Sequence, residues 1–304
     1  MAIALYTHPD MLGHEPHAGN PERPGRLAAV TAALTGSSLD LDPREAPLAE
    51  RGDLELVHGP DYLDSIARAA PREGLSRLDP DTWMSPGSLA AASRAAGGVV
   101  AAARAVAAGE IQRAFCAVRP PGHHAGPDFA MGFCLYSNIA VAARAAQQAG
   151  LARVAVVDFD VHHGNGTQAA FAADPTLFFA SVHQSPLYPG TGDPRDTGIG
   201  NIVNAIVAPG APREAWRRAF ESLMTRIDAF APDLILISAG FDAHARDPLA
   251  EQALEAEDFA WATRAIVSVA ETRCAGRIVS SLEGGYDLRG LADSALAHVG
   301  ALNG

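Results

Sequence analysis

The chain has 304 residues, 48% apolar and 19% charged, a mix that supports a sizeable folded core and excludes disorder, collagen and a disulfide-built mini-protein. Acidic residues outnumber basic ones 35 to 23, for a formal net charge of −12; with no Lys/Arg run to reverse that field locally, no nucleic-acid partner is expected. Cys116, Cys134 and Cys274 are widely spaced, with no CxxC pair, which points to a reducing compartment and away from zinc-ribbon or thioredoxin-like chemistry.

In chain order, the N-terminal MAIALYTHPD has no basic leader and turns polar after Tyr6, unlike a signal peptide; residues 3–6 predict a first strand. Residues 88–108 are dominated by alanine and carry Arg94 and Arg104, so they predict a buried helix rather than a membrane span. A cytoplasmic protein without a membrane partner is the expectation. Short apolar runs at 114–118, 154–157, 177–182, 234–238 and 278–281 predict further strands. Between them, 3.6-residue periodicity predicts helices at 137–148, 213–230 and 257–272, the second with Pro212 at its first position. Continuous apolar strands separated by helices predict an α/β fold, a mostly parallel central sheet with helices on both faces. No linker divides residues 1–304, so one domain is expected. The Pro/Gly-dense segments 119–132, 188–201 and 239–249 each follow a predicted strand, and loops at the carboxyl ends of such strands are expected to converge on a site.

Those loops carry the polar chemistry. After the strand at 154–157 comes Asp158-Phe-Asp160-Val-His162-His163-Gly-Asn165, where residues two apart in extended chain point to one side. Asp160 and His162 could grip a divalent cation together, with Asp158 behind them; so much polarity at a buried strand end is costly without a partner. Asp242, in Gly240-Phe-Asp242, is a natural third ligand, although an Asp after Gly is often only a turn residue. Asp/His/Asp with an open position is a catalytic rather than a structural metal set, suited to Zn2+ and chemically compatible with Fe2+. In Arg119-Pro-Pro-Gly-His123-His124, one histidine beside a metal site could take a proton from water and the other carry positive charge or protonate a leaving amine. Glu283-Gly-Gly285-Tyr286 turns sharply and presents a phenol that could donate to a developing oxyanion.

With NPERPGR at 20–26, the motifs RPPGHHA, GFCLYSN, DFDVHHGNGT, YPGTGD, SAGFDAH and EGGYD stand in an order that resembles the histone deacetylase family, including bacterial deacetylase-like amidohydrolases and acetylpolyamine amidohydrolases. The likeness covers nearly the whole chain, and Asn165 and Glu283 make it similar to the class II branch. It implies the three-layer arginase/deacetylase fold, and a metal-dependent amidohydrolase releasing acetate from an acetylated lysine peptide or a small acetylated amine. It further implies Asp160, His162 and Asp242 as ligands of one Zn2+. His124 would be the general base oriented by Asn165, His123 its charged neighbour paired with Asp158, and Tyr286 the carbonyl-polarising phenol. Phe133 and Tyr188 would wall an acyl tunnel beside Gly132, although Tyr188 is phenylalanine in many relatives. A structural K+ would sit by Asp158, Ser181 and the backbone near His162. Asn20, where many relatives have histidine, and His244 depart from the pattern away from this chemistry. The resemblance puts Leu249 at the tunnel rim, where polyamine-selective relatives carry glutamate; acidic Asp79 or Asp81 could line the mouth instead. An acetylpolyamine amidohydrolase is the main alternative; a silent acyl-lysine-binding homologue and a two-manganese ureohydrolase are lesser ones. Self-association into a homo-oligomer is compatible with this reading.

Overall fold

The most apolar runs of the sequence lie in the middle of an eight-stranded sheet in the computed structural model, which describes residues 2–304. The strands are β1 (Ile3–Thr7), β2 (Leu41–Glu45), a small antiparallel pair β3 (Ser76–Arg77) and β4 (Trp83–Met84), then β5 (Arg113–Cys116), β6 (Val154–Asp158), β7 (Leu177–Gln184), β8 (Ile202–Val207), β9 (Leu234–Ala239) and β10 (Ile278–Leu282). The large sheet runs β2-β1-β5-β10-β9-β6-β7-β8, with every neighbouring pair parallel. Strands β5, β6, β9 and β10 are buried along their whole length, as a parallel sheet covered on both faces requires.

The helices are α1 (Pro24–Thr35), α2 (Arg51–Leu54), α3 (Pro60–Ala69), α4 (Ser88–Ala107), α5 (Asn138–Gln148), α6 (Asn165–Phe171), α7 (Arg213–Phe230), α8 (Ala256–Cys274) and α9 (Leu288–Asn303). On one face α4 packs on α5 and covers β1, β5 and β10; on the other, α1, α9, α8 and α7 pack in sequence over β1, β9 and β6–β8. The outcome is the three-layer architecture expected from the sequence. Helix α4 is long and apolar enough to cross a membrane by composition, but 67% of its most apolar window is buried in the fold, as in a core helix. The predicted elements recur with small shifts at their ends. Pro212 is the residue before α7 rather than its first: its extended ψ of 150° precedes the helical turn. Helix α8 starts one residue early because Glu255 and Asp258 form a reciprocal capping box.

Strands β2 and β8 had no counterpart in the sequence reading. They are the two edges, half open to solvent, so LDPRE and IVNAIV lack the continuous apolar run that marks a central strand. The chemistry-bearing loops follow β5, β10, β9 and β6, four adjacent central strands, so their carboxyl ends stand side by side and aim four loops at one point.

Candidate active site

Asp160, His162 and Asp242 offer one ligand atom each within 4.8 Å of one another, all buried, as the sequence predicted. Each carboxylate is pinned by backbone donors. Asp160 Oδ2 accepts from the Gly284 N–H at 2.8 Å and Oδ1 from the His162 N–H at 2.9 Å, while Asp242 Oδ1 accepts from the Val161 N–H at 2.8 Å. Nδ1 of His162 faces Asp160 Oδ1 at 3.0 Å and Asp242 Oδ2 at 3.1 Å. One N–H cannot donate well to both oxygens, whereas a divalent cation between them satisfies all three side chains. Burial alone would push His162 down, but the two carboxylates raise it to about 10. Burial works against ionised Asp160 too, yet His123 and His162 hold its carboxyl far below the usual range. A Cβ at Gly284 would collide with carboxylate oxygens of Asp242 and Asp160, so glycine closes this cradle. One imidazole and two hard oxygens, oriented in advance by backbone N–H groups, fit Zn2+ or Fe2+.

The loop after β5 places two histidines beside the triad. His123 Nδ1 meets Asp158 Oδ2 at 3.0 Å; burial disfavours its charge, but Asp160 and Asp158 outweigh that and lift it to about 10. His124 Nδ1 meets Asn165 Oδ1 at 2.7 Å, and burial, then positive charge at the neighbouring His123 and His162 positions, lowers it well below the ordinary histidine value. Donation from Nδ1 to the amide oxygen leaves His124 Nε2 as an unprotonated acceptor. Asp158 also pairs in register with Ser181 of the next strand, and Ser181 Oγ lies 2.9 Å from His183 Nδ1. Both residues are fully buried.

His124, Gly132, Phe133, His162, Tyr188, Leu249 and Tyr286, all foreseen from the sequence, line one pocket of about 210 Å3 together with Asp81 and Leu187. Tyr188 stands edge-on to His124 (centroids 5.2 Å apart) and Phe133 edge-on to Tyr286 (5.9 Å). Gly132 and Phe133 both take positive φ, 57° and 67°, and a Cβ at Gly132 would strike the His124 ring. That turn is held by Asp81 Oδ1, which accepts the Gly132 N–H at 3.0 Å, and by Thr82 Oγ1, which accepts the Phe133 N–H at 3.1 Å. So Asp81, which the sequence offered only as an alternative rim residue, lines the same pocket as Leu249.

The support behind the site was not read from the sequence. Glu283 Oε2 accepts the N–H groups of Gly122 and His123, at 2.7 and 3.1 Å, and holds the histidine loop. Glu22 is buried between Arg119 (2.6 and 2.8 Å) and Arg26 (3.3 Å). The Arg26 guanidinium lies 4.9 Å from the centre of the Tyr286 ring and donates to the carbonyls of Gly285 and Glu283. The i, i+4 spacing of Glu22 and Arg26 in the 20–26 motif was the available signal. Asn20 accepts the Glu22 N–H, and His244 accepts the Arg246 N–H; neither lines the pocket.

Known proteins share this arrangement of chain. The histone deacetylase domain model matches residues 20–302. The histone deacetylase-like amidohydrolase of Pseudomonas aeruginosa is 39% identical over 295 residues, 95% of this chain and 77% of its own. The chloroplastic histone deacetylase 10 of Oryza sativa subsp. japonica is 40% identical over 317 residues, 96% of this chain and 71% of its own. The crystal structure of the HDA15 HD domain superposes with a TM-score of 0.94 at 35% identity, covering 99% of this chain and 88% of that one.

Proposed function

The chain belongs to the histone deacetylase family, and from that premise we propose that it is a zinc-dependent deacetylase cleaving an N-acetylated lysine side chain or a small N-acetylated amine. One observation carries this reading: the Asp160–His162–Asp242 set opens, through His162, into the same narrow pocket that His124 and Tyr286 line. Asp160, His162 and Asp242 would hold a divalent cation, which would supply Lewis acidity towards a carbonyl and a water molecule. His124 Nε2 takes a proton from the attacking water, with Asn165 fixing the ring's tautomer and direction. The Tyr286 hydroxyl donates to the carbonyl oxygen as negative charge grows there. Cationic His123, backed by Asp158, favours that charge, and His124 or His123 returns a proton to the amine as the C–N bond breaks. Water and the amide become acetate and a free amine.

Phe133, Tyr188, Leu187 and Leu249 give the pocket walls that suit a methylene chain and leave a distal charge at the mouth. Leu249 offers no partner to a second ammonium, which favours acetyl-lysine in a peptide or a small aryl amide over acetylpolyamines. Asp81 supports the second reading, an acetylpolyamine amidohydrolase, since its carboxylate is at the same mouth; its Oδ1 is already engaged by the Gly132 N–H. K+ beside Asp158 and Ser181, a cytoplasmic setting and the absence of nucleic-acid or membrane partners belong to the same proposal, as does a homo-oligomer; the net charge of −12 supports the exclusion of nucleic acid. Acetate release from an acetyl-lysine peptide, an acetylated aryl amide, N-acetylputrescine and acetylspermidine tests it. The peptide or aryl amide is expected to lead by at least about tenfold in kcat/KM, roughly 1.4 kcal/mol. Polyamine turnover equal or higher would replace it with the second reading, and inactivity on all four would overturn the deacetylase assignment.

A further inference from the structure

Asp247 lies in the loop between β9 and α8, outside the triad and the histidine pair. Its carboxylate is buried, 8% exposed, and among the described residues no arginine or lysine pairs with it. Its partners are two backbone donors: Oδ1 accepts the Leu249 N–H at 3.0 Å and Oδ2 accepts the Tyr286 N–H at 2.7 Å. The first bond closes a local turn, helped by the Asp247 N–H donating to the His244 carbonyl at 2.9 Å. A turn needs no more than that. The second bond reaches 39 positions along the chain into the loop after β10. Burial, then the nearby Asp242 carboxylate, raise Asp247 to about 7, so the residue is held against an electrostatic cost. Both backbone groups it ties belong to residues that line the pocket shared by His124 and His162, Leu249 and Tyr286.

We propose that Asp247 is a positioning residue: by clamping the Leu249 and Tyr286 backbones on its two oxygens it sets where the Tyr286 hydroxyl stands during amide hydrolysis, an inference that rests on the reading of Tyr286 as the donor to the scissile carbonyl. A carboxylate is needed because both partners are donors. An asparagine has one acceptor oxygen and would turn its own N–H groups on one of them. Glutamate keeps both acceptors but moves them one methylene out of register.

The test is steady-state kinetics on an acetyl-lysine peptide with the zinc-loaded protein, together with metal content and melting temperature, for Asp247→Asn, Asp247→Glu, Tyr286→Phe and the double variant Asp247→Asn/Tyr286→Phe. A misplaced donor lowers kcat by about 10- to 100-fold while KM moves less than about threefold, with zinc retained. Without the Tyr286 hydroxyl there is nothing left to misplace, so Asp247→Asn is expected to cost less than about twofold in the Tyr286→Phe background. If Asp247→Asn does not fold, Asp247→Glu carries the same expectation for kcat. An unchanged kcat in both Asp247 variants overturns the proposal. So does an equal loss in both backgrounds, or a loss that follows zinc or fold in both variants. Full activity of Tyr286→Phe alone would instead overturn the role given to Tyr286.

Discussion

His123 and His124 lie with ring centroids 4.0 Å apart, yet their electrostatics are opposite. The difference comes from the charge around each ring, since the Asp160 carboxylate, and then Asp158, raise His123. A carboxylate, Asp158, stands at 3.0 Å from His123, and a neutral amide, Asn165, at 2.7 Å from His124. The raised value of the first further depresses the second, since two cations cannot share that space. Two titratable groups pushed apart in this way are what a base with an electrostatic helper needs, which supports the roles proposed for His124 and His123.

His124→Ala removes the proposed base, and kcat is expected to fall by about 10²–10⁴ with zinc content unchanged. Acetate release under saturating peptide, with metal analysis on the same sample, reads it. Activity within a few fold of the wild type would transfer the base role to another group.

Tyr286→Phe deletes one oxyanion donor and keeps the ring that packs on Phe133 and Arg26. By the size of such losses elsewhere, kcat is expected to drop about 10²–10³ with little change in KM or melting temperature. A rise in KM at constant kcat would mean that the hydroxyl only binds substrate.

Three histidines outside the triad set an acid limit on stability. Burial lowers His58 to about 4 and His298 to about 3; burial and neighbouring His163 lower His183 to about 3. Their unfolded values are near 6.5, so below that pH the unfolded chain takes up protons that the native one refuses. Stability from these groups is thus complete above about pH 6.5 and lost as pH falls toward 4, by up to about 1.4 kcal/mol per pH unit for each. Urea unfolding at pH 7.5 and 5 should show His298→Gln losing about 2 kcal/mol less than the wild type over that range, a difference from which the groups shifted the other way cancel. The same pH dependence in the two proteins would contradict the role given to His298.

Leu249→Glu adds a second carboxylate to the pocket that Asp81 lines. The ratio of kcat/KM for N-acetylputrescine over acetyl-lysine peptide should rise at least about tenfold. No change in that ratio would show that Leu249 packs the loop without touching the distal part of the substrate.

What could be read in advance follows from how polarity is distributed along the chain. The Asp158–Asn165 run was legible because charged residues interrupt a buried strand end, where they are costly without a purpose. The aromatic walls and Leu249 were found through motif likeness, and the fold brought them to one pocket. Asp81 and Asp247 look like ordinary turn aspartates in sequence. Their second bonds, to the Gly132 and Tyr286 backbones, exist only once distant loops meet. The edge strands β2 and β8 escaped for a different reason, since Asp42, Pro43, Arg44 and Glu45 make the first read as a loop and Asn204 interrupts the second.

If Asp160, His162 and Asp242 hold the one metal on which amide hydrolysis depends, titrating the metal-free protein with zinc should restore acetate release from an acetyl-lysine peptide. Activity should rise linearly and saturate at one zinc per chain, while His162→Ala, lacking one of only three protein ligands, should retain no stoichiometric zinc after dialysis and no activity. Full turnover by the metal-free wild type, or stoichiometric zinc retained by His162→Ala, would contradict that assignment.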